Sequence, residues 1–208
     1  MKQVDYGKIK LDIPDHPIAL LHSGGVDSSL LLYMFMSHME HRIDVYTFAS
    51  NEKGRMSALV SSKVLERCIQ QTKNSNVRHI TNYGDSQTVE TLFGPLQEAL
   101  QTDTKLICFA ETANPPPEVY ESFKEPISAI GAARNPDETR ELYLNKMIYR
   151  PFTNINKQDI AELYKQLDII DTIFPITRSC EVREKLEYYD HCGECWWCEE
   201  RNWGFSNL

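Results

Sequence analysis

The stretch PIALLHSGGVDSSLLLYMF constrains this chain more than any other, because a short apolar run passes through two adjacent glycines straight into a second apolar run. The first run is short enough for a buried strand and the second long enough for a helix starting near Asp27. A strand handed to a helix through so tight a turn is the opening unit of a parallel sheet, whose strands need covering crossovers.

The rest of the chain repeats that unit. IDVYTFAS reads as a second strand, followed after Gly54 by GRMSALVSSKVLERCIQQTKN, in which Val60, Val64, Cys68 and Ile69 share one helical face. VRHITNY and TKLICFAET are two further strands flanking a helix through TVETLFGPLQEALQ. Cys68 and Cys108, set inside apolar patterns, read as core residues. From Pro115 to about Glu141 the alternation stops, and five of the ten prolines fall there. An irregular excursion, roughly 113–145, is expected above the sheet as a pocket wall or lid. The pattern returns with KMIYRPFTNINKQDIAELYKQLDI, where Asn156 can cap a helix with Asp159 in its first turn and Ile160, Leu163, Tyr164 and Leu167 on its buried side. The expected architecture is therefore α/β: a five-stranded parallel sheet with helices on both faces over residues 1–176, then a C-terminal segment, 177–208, carrying most of the cysteines.

Length and charge narrow the function. The chain has 208 residues, enough for one domain with a small appendage. Its 22 Lys and Arg face 30 Asp and Glu, a net charge of -8, which opposes binding to nucleic acid through phosphate neutralisation. MKQVDYGKIKLDIPDHP lacks the apolar core of a signal peptide, and the longest apolar run, Leu30 to Met36, is too short to span a bilayer. A cytoplasmic protein is expected, with its cysteines as thiols or metal ligands.

The glycine turn has a chemistry of its own. At the carboxyl end of a strand and the amino end of a helix, consecutive N–H groups, the helix dipole and the hydroxyls of Ser23, Ser28 and Ser29 form a cradle for an anion such as phosphate. Asp27 would repel that anion unless a divalent cation lay between them, which suggests Mg2+. Neither the lysine-closed nucleotide loop nor the dinucleotide spacing of glycines is present.

Four of the six cysteines crowd the end. Cys192, Cys195 and Cys198 recur at two-residue intervals after a possible turn at Gly193, and Cys180 completes a set of four. Four thiolates with no open position fit structural Zn2+. His191 stands beside the set as a substitute ligand. Trp196, Trp197, Trp203 and Phe205 read as packing the segment onto the main domain, or, more sharply, as a stacking surface for a base.

SGGVDS resembles the S-G-G-x-D-S loop of the PP-loop ATP pyrophosphatases, which cleave ATP between the alpha and beta phosphates and adenylate an oxygen of their substrate. That resemblance implies pyrophosphate contacts from Ser23, Gly24, Gly25, Val26, Asp27, Ser28 and Ser29. It also implies a Rossmann-like fold of the adenine nucleotide alpha hydrolase type, with adenine beside Phe48, Ala49 and Ser50. Adding RPFTNINKQDIAELYKQLDI, TRSC and the final C-G-x-C-x-x-C, the order of motifs resembles the 7-cyano-7-deazaguanine synthase family of queuosine biosynthesis. The resemblance covers Ile18 to Asn51 and Tyr149 to Phe205. It implies a 7-deazapurine carboxylate and ammonia as partners, ATP with Mg2+ and a structural Zn2+ as cofactors, and a homodimer as a possible assembly. Lys157 and Arg178 are then the cations expected at phosphate or carboxylate. The middle departs from the family: GAARNPDE holds Arg134-Asn135 without a preceding Pro-Gly. Two other readings remain open, a PP-loop enzyme acting on a tRNA base, another carboxylate or a protein terminus, and a nucleotide-binding module without turnover.

Overall fold

The computed structural model describes residues 2–50, 55–84, 98–99, 101–126, 140–143, 146–180 and 191–207. A two-stranded antiparallel hairpin, β1 (Lys2–Asp5) and β2 (Lys10–Ile13), comes first. There follow β3 (Ile18–Leu21), α1 (Val26–His38), β4 (Ile43–Ser50), α2 (Arg55–Thr72), β5 (Val77–Gly84) and β6 (Leu106–Cys108). The second half holds a one-turn helix α3 (Pro117–Tyr120), β7 (Arg140–Tyr143), β8 (Lys146–Tyr149), α4 (Lys157–Gln166) and α5 (Trp196–Phe205).

The main sheet runs β5-β4-β3-β6-β8-β7. Its first five strands are parallel, as the alternation of strand and helix requires, and β7 is antiparallel to β8. That last strand corrects one expectation: the irregular excursion does not extend to residue 145, because Arg140–Tyr143 pairs back onto β8 as a sixth, edge strand. The hairpin of β1 and β2 is the other addition. It is held by Leu11 and Ile13, both buried, and by the Asp12 N–H donating to the Tyr149 hydroxyl at 3.0 Å.

Alternate residues of the central strands serve two cores. Ile18 and Leu20 of β3, Ile43 and Val45 of β4, and Leu106 and Cys108 of β6 face α1, α2 and α4. Ala19, Tyr46 and Ile107 face the opposite side, against Ala99 of a helical stretch. The expected helix over 88–101 lies mostly outside the described residues. Because α1 is apolar nearly all round, Leu30, Leu31, Leu32, Met34, Phe35 and Met36 are all buried. In α2 the expected stripe is present, with Val60, Val64 and Cys68 buried and Ile69 partly so. Cys68 and Cys108 are core residues, and burial pushes the Cys68 thiol up to about 12.

The capping signal at α4 is realised in full. The Asn156 side chain accepts from the N–H groups of Gln158 and Asp159, while the Asp159 carboxylate accepts from the Asn156 N–H. This reciprocal box fixes where α4 begins, and so where Lys157 stands. The strand order reverses at β3, whose neighbours are β4 and β6. In such a sheet a ligand crevice opens beyond the carboxyl ends of the strands at that reversal, which here is the glycine turn of residues 22–25.

Candidate nucleotide site and cysteine cluster

The turn is shaped by one glycine with no substitute. Gly24 has φ of +81°, and a Cβ on it would stand 2.6 Å from Val60 Cγ1 and 3.0 Å from the Ser61 amide nitrogen. Gly25 then forms the N-cap of α1 with no side-chain cap, so the first N–H groups of α1 face outward without an intrahelical acceptor. The two expected hydroxyls frame this opening: the Ser23 and Ser28 Oγ atoms are 3.2 Å apart, the Gly25 N–H donates to Ser23 Oγ, and Ser28 Oγ accepts from the Ser23 N–H. Amides, two hydroxyls and a helix dipole converge on one spot, the arrangement an oxyanion requires.

Two expected members sit behind the cradle. Ser29 is fully buried, with its Oγ 3.3 Å from His22 Nε2, and Val26 contributes its side chain to the core while its carbonyl accepts from the Tyr164 hydroxyl at 2.8 Å. His22 anchors a buried polar network: its Nδ1 lies 2.6 Å from Ser61 Oγ, which contacts Thr47 Oγ1 at 2.7 Å, and both hydroxyls reach His79 Nε2. Burial holds the His22 imidazole neutral, drawing it down to about 3. This network ties β3, β4, α2 and β5 together directly under the turn. Phe48 is partly buried on β4, and Ser50 ends that strand.

The cations come from the other end of the chain. Lys157, at the start of α4, donates from Nζ to Asp27 Oδ2, and its Nζ lies 3.5 Å from Glu200 Oε2. The lysine side chain is 4 % exposed, Asp27 20 % and Glu200 0 %. Arg178 reaches the site through its backbone, its N–H donating to the Gly24 carbonyl at 3.0 Å. Arg201 braces the same segment, donating to Thr177 Oγ1 at 2.8 Å and to the Phe174 carbonyl at 3.1 Å, with its guanidinium 4.0 Å from the Phe174 ring. Desolvation draws this guanidinium down to about 10. Asp27 is the carboxylate beside the turn, and a Mg2+ ion bound chiefly by phosphates would need one or two such groups from a protein.

Sequence reasoning passed over Glu200, Arg201 and Gly204. The signal for them is the pair of charges inside the aromatic helix WWCEERNWGF, since charged residues on a buried face must have partners.

The cysteine cluster is assembled as its spacing suggested. The sulfurs of Cys180, Cys192, Cys195 and Cys198 all lie within 4.8 Å of one another. Tetrahedral Zn–S bonds of about 2.3 Å set S···S separations of about 3.8 Å, and the Cys192 and Cys198 sulfurs are 3.8 Å apart. Gly193, with φ of +75°, turns the chain so that the N–H groups of Glu194 and Cys195 both donate to Cys192 Sγ, as donors stabilising a thiolate should. The donor set fits Zn2+, with His191 Nδ1 beside it, 3.7 Å from Cys198 Sγ. Protonated, these thiols crowd one another: the Cys195 hydrogen bond and burial push Cys198 up, so a metal must displace its proton.

Trp196 is fully buried and packs edge-on to Phe123 with ring centroids 5.0 Å apart and beside Tyr120 at 6.0 Å. Its packing role is therefore realised against the residues after Pro117. The same segment caps α5, with Glu125 accepting from the Trp196 N–H at 2.9 Å, and Lys124 pairs with Glu194. Arg134 and Asn135 lie outside the described residues.

Fold and site define an α/β protein with a glycine turn entering a helix at its sheet reversal and a four-cysteine knuckle packed beside it. The model of the QueC family, queuosine biosynthesis protein QueC, matches residues 127–208, which include Lys157, Arg178 and all four clustered cysteines. The likeness to that family is thus borne out over the C-terminal part, while the SGGVDS turn precedes the matched stretch. A solved structure of NMN synthetase from Francisella tularensis is similar at 15 % identity and a TM-score of 0.47, over 91 % of this chain and 84 % of that one. No curated protein matches. No helix of the described residues is long and apolar enough to cross a membrane.

Proposed function

We propose that this chain is a cytoplasmic ATP-dependent C–N ligase that adenylates a carboxylate for attack by ammonia, with 7-carboxy-7-deazaguanine as substrate and 7-cyano-7-deazaguanine as product. The observation that carries the reading is the meeting of two distant segments: the cradle of Ser23 to Ser28, and Lys157 from the stretch matched by the QueC family, which is ion-paired to Asp27 at the cradle's rim.

The chemistry explains why both are needed. A carboxylate resists attack by ammonia until one oxygen becomes part of a leaving group. The substrate oxygen attacks the alpha phosphorus, the bond to the bridging oxygen breaks, and pyrophosphate departs with the charge that the cradle amides, Ser23, Ser28 and Lys157 are arranged to stabilise. Ammonia then adds to the acyl carbon and AMP leaves, giving an amide. A second ATP adenylates the amide oxygen with release of pyrophosphate, and AMP then leaves carrying that oxygen while the nitrogen gives up its two protons, which leaves the nitrile. Mg2+ bound with the nucleotide supplies further neutralisation of the leaving group, and Asp27 would hold it. Cys180, Cys192, Cys195 and Cys198 hold Zn2+ in a structural role, since all four positions of a tetrahedron are taken by protein. A thiolating relative would need a reactive cysteine at the nucleotide; Cys68 and Cys108 are both core residues, and the Cys68 thiol is raised by burial.

Incubation with ATP, Mg2+, ammonia and 7-carboxy-7-deazaguanine should yield pyrophosphate and the nitrile. Pyrophosphate formed only with tRNA would reassign the substrate, and MgATP binding without turnover would leave a nucleotide-binding module. Asp27→Asn should lower the rate of pyrophosphate release by about 100-fold or more, on the scale of removing one oriented charge from a transition state. An unchanged rate would remove Asp27 from the chemistry.

A further inference from the structure

The buried ammonium of Lys157 has two carboxylates at hand, Asp27 Oδ2 and, 3.5 Å away, Glu200 Oε2. The two are not equivalent. Asp27 belongs to the first turn of α1 at the open edge of the cradle and is 20 % exposed; Glu200 is fully buried on α5, two residues beyond Cys198. The surroundings of α5 are cut to fit this lysine. A Cβ at Gly204, one turn after Glu200, would stand 2.6 Å from both Lys157 Cβ and Cγ, so only a residue without a side chain lets the stem lie along the helix. Arg201, beside Glu200, holds Thr177 and Phe174, next to the residue whose N–H grips Gly24.

We propose that Glu200 is the positioning residue for Lys157, keeping its ammonium aimed at the phosphates once Asp27 has turned to the incoming nucleotide and its cation. This rests on the reading of the cradle as a phosphate site. The physical reason is that a 4 % exposed ammonium is stable only with a partner that stays. Asp27 faces the ligand and must share its charge with it. Glu200 is sealed from the ligand and moves only with α5. The helix that carries two of the four clustered cysteine sulfurs at or next to its first turn, Cys195 and Cys198, thus also sets the cation of the nucleotide site.

The test is MgATP affinity, measured by calorimetry on the zinc-loaded full chain, alongside steady-state kinetics. Glu200→Gln should raise the Kd for MgATP by about tenfold and lower kcat as well, because Lys157 serves both the bound phosphates and the departing pyrophosphate, so that kcat/KM for ATP falls by more than about tenfold. Glu200→Asp, which keeps the charge, should recover most of the affinity. In the Lys157→Met background, adding Glu200→Gln should change nothing, because the effect passes through the lysine. Where Glu200→Gln alone does not fold, Glu200→Asp takes its place in the comparison: the shorter carboxylate should raise the Kd by about threefold with Lys157 present and leave it unchanged in the Lys157→Met background, and no change with Lys157 present overturns the inference. Binding by Glu200→Gln within twofold of the parent protein, or a further loss in the double variant, overturns the inference. If the parent binds MgATP but makes no pyrophosphate from the deazaguanine carboxylate, the substrate reading fails and the Kd comparison still decides the role of Glu200. If the parent does not bind MgATP, both fall.

Discussion

Two turns in this protein each place a glycine at a left-handed φ and have opposite surroundings. Gly24 in the cradle and Gly193 in the cysteine knuckle have φ of +81° and +75°. A Cβ at Gly24 would run into Val60 and the Ser61 backbone, whereas a Cβ at Gly193 would meet nothing within 4 Å. The cradle is pressed into the sheet and α2, with a hydrogen-bond network of the buried His22, Ser61 and Thr47 and the half-buried His79 beneath it. The knuckle is a surface turn whose shape is set by four sulfurs and two N–H donors. The difference teaches that the turn at Gly24 is preorganised by packing, while the knuckle depends on whatever its sulfurs bind.

The largest expected effect follows from the knuckle. Apparent binding energies of structural zinc are about 10 kcal/mol or more, and in a segment this small that energy is folding energy. Cys195→Ser should therefore lower the zinc content and the melting temperature together, and release the contacts that α5 makes with Phe123 and Tyr120. Measured zinc per chain and thermal unfolding check this. A metal-free protein of unchanged stability would break the comparison, because the knuckle would then be held by packing after all.

A smaller effect separates the two glycines directly. Gly193→Ala bears only the cost of a left-handed residue, about 1 kcal/mol. Gly24→Ala bears that cost and an overpacking cost of about 1–3 kcal/mol besides, since the nearest obstacles include backbone. Urea unfolding of the two variants should rank them in that order, and only Gly24→Ala should also weaken MgATP binding. Equal losses would mean that Val60 yields and that the cradle is less rigid than its contacts suggest.

What could be read from the sequence follows the same division. The strand, turn and helix around SGGVDS were legible because continuous apolar runs have few alternatives in a parallel sheet, and the spacing of the cysteines announced a shared point. The α4 cap was legible too, since Asn156 and Asp159 act within one turn. Long-range placements were not. Lys157 meets Asp27 across 130 residues of chain, and nothing local in either segment says so. Glu200 and Arg201 sit among aromatic residues, a conflict that signalled buried charge without naming the partner. The hairpin β1–β2 and the edge strand β7 were missed because each is four residues long, with polar residues that dilute the alternation.

The finest test of the comparison uses pH on the network beneath the cradle. Burial draws His22 from its ordinary 6.5 to about 3, so the folded protein leaves this imidazole neutral where the unfolded chain protonates it. Stability rises with pH wherever the unfolded state binds more protons, so His22 costs nothing above about pH 6.5. Below that value it destabilises the fold by about 1.4 kcal/mol per pH unit, until the folded group itself titrates near 3. The knuckle also weakens in acid, because its sulfurs regain protons, but that loss is common to the parent protein and a His22→Asn variant. Urea unfolding of the two at pH 6.5 and pH 5.0 should thus give a steeper loss in the parent by about 2 kcal/mol over this interval, whatever the absolute cost of the substitution. Parallel losses would mean that His22 takes up its proton in the folded state, and the network beneath the cradle would then be open to protonation despite the burial of His22.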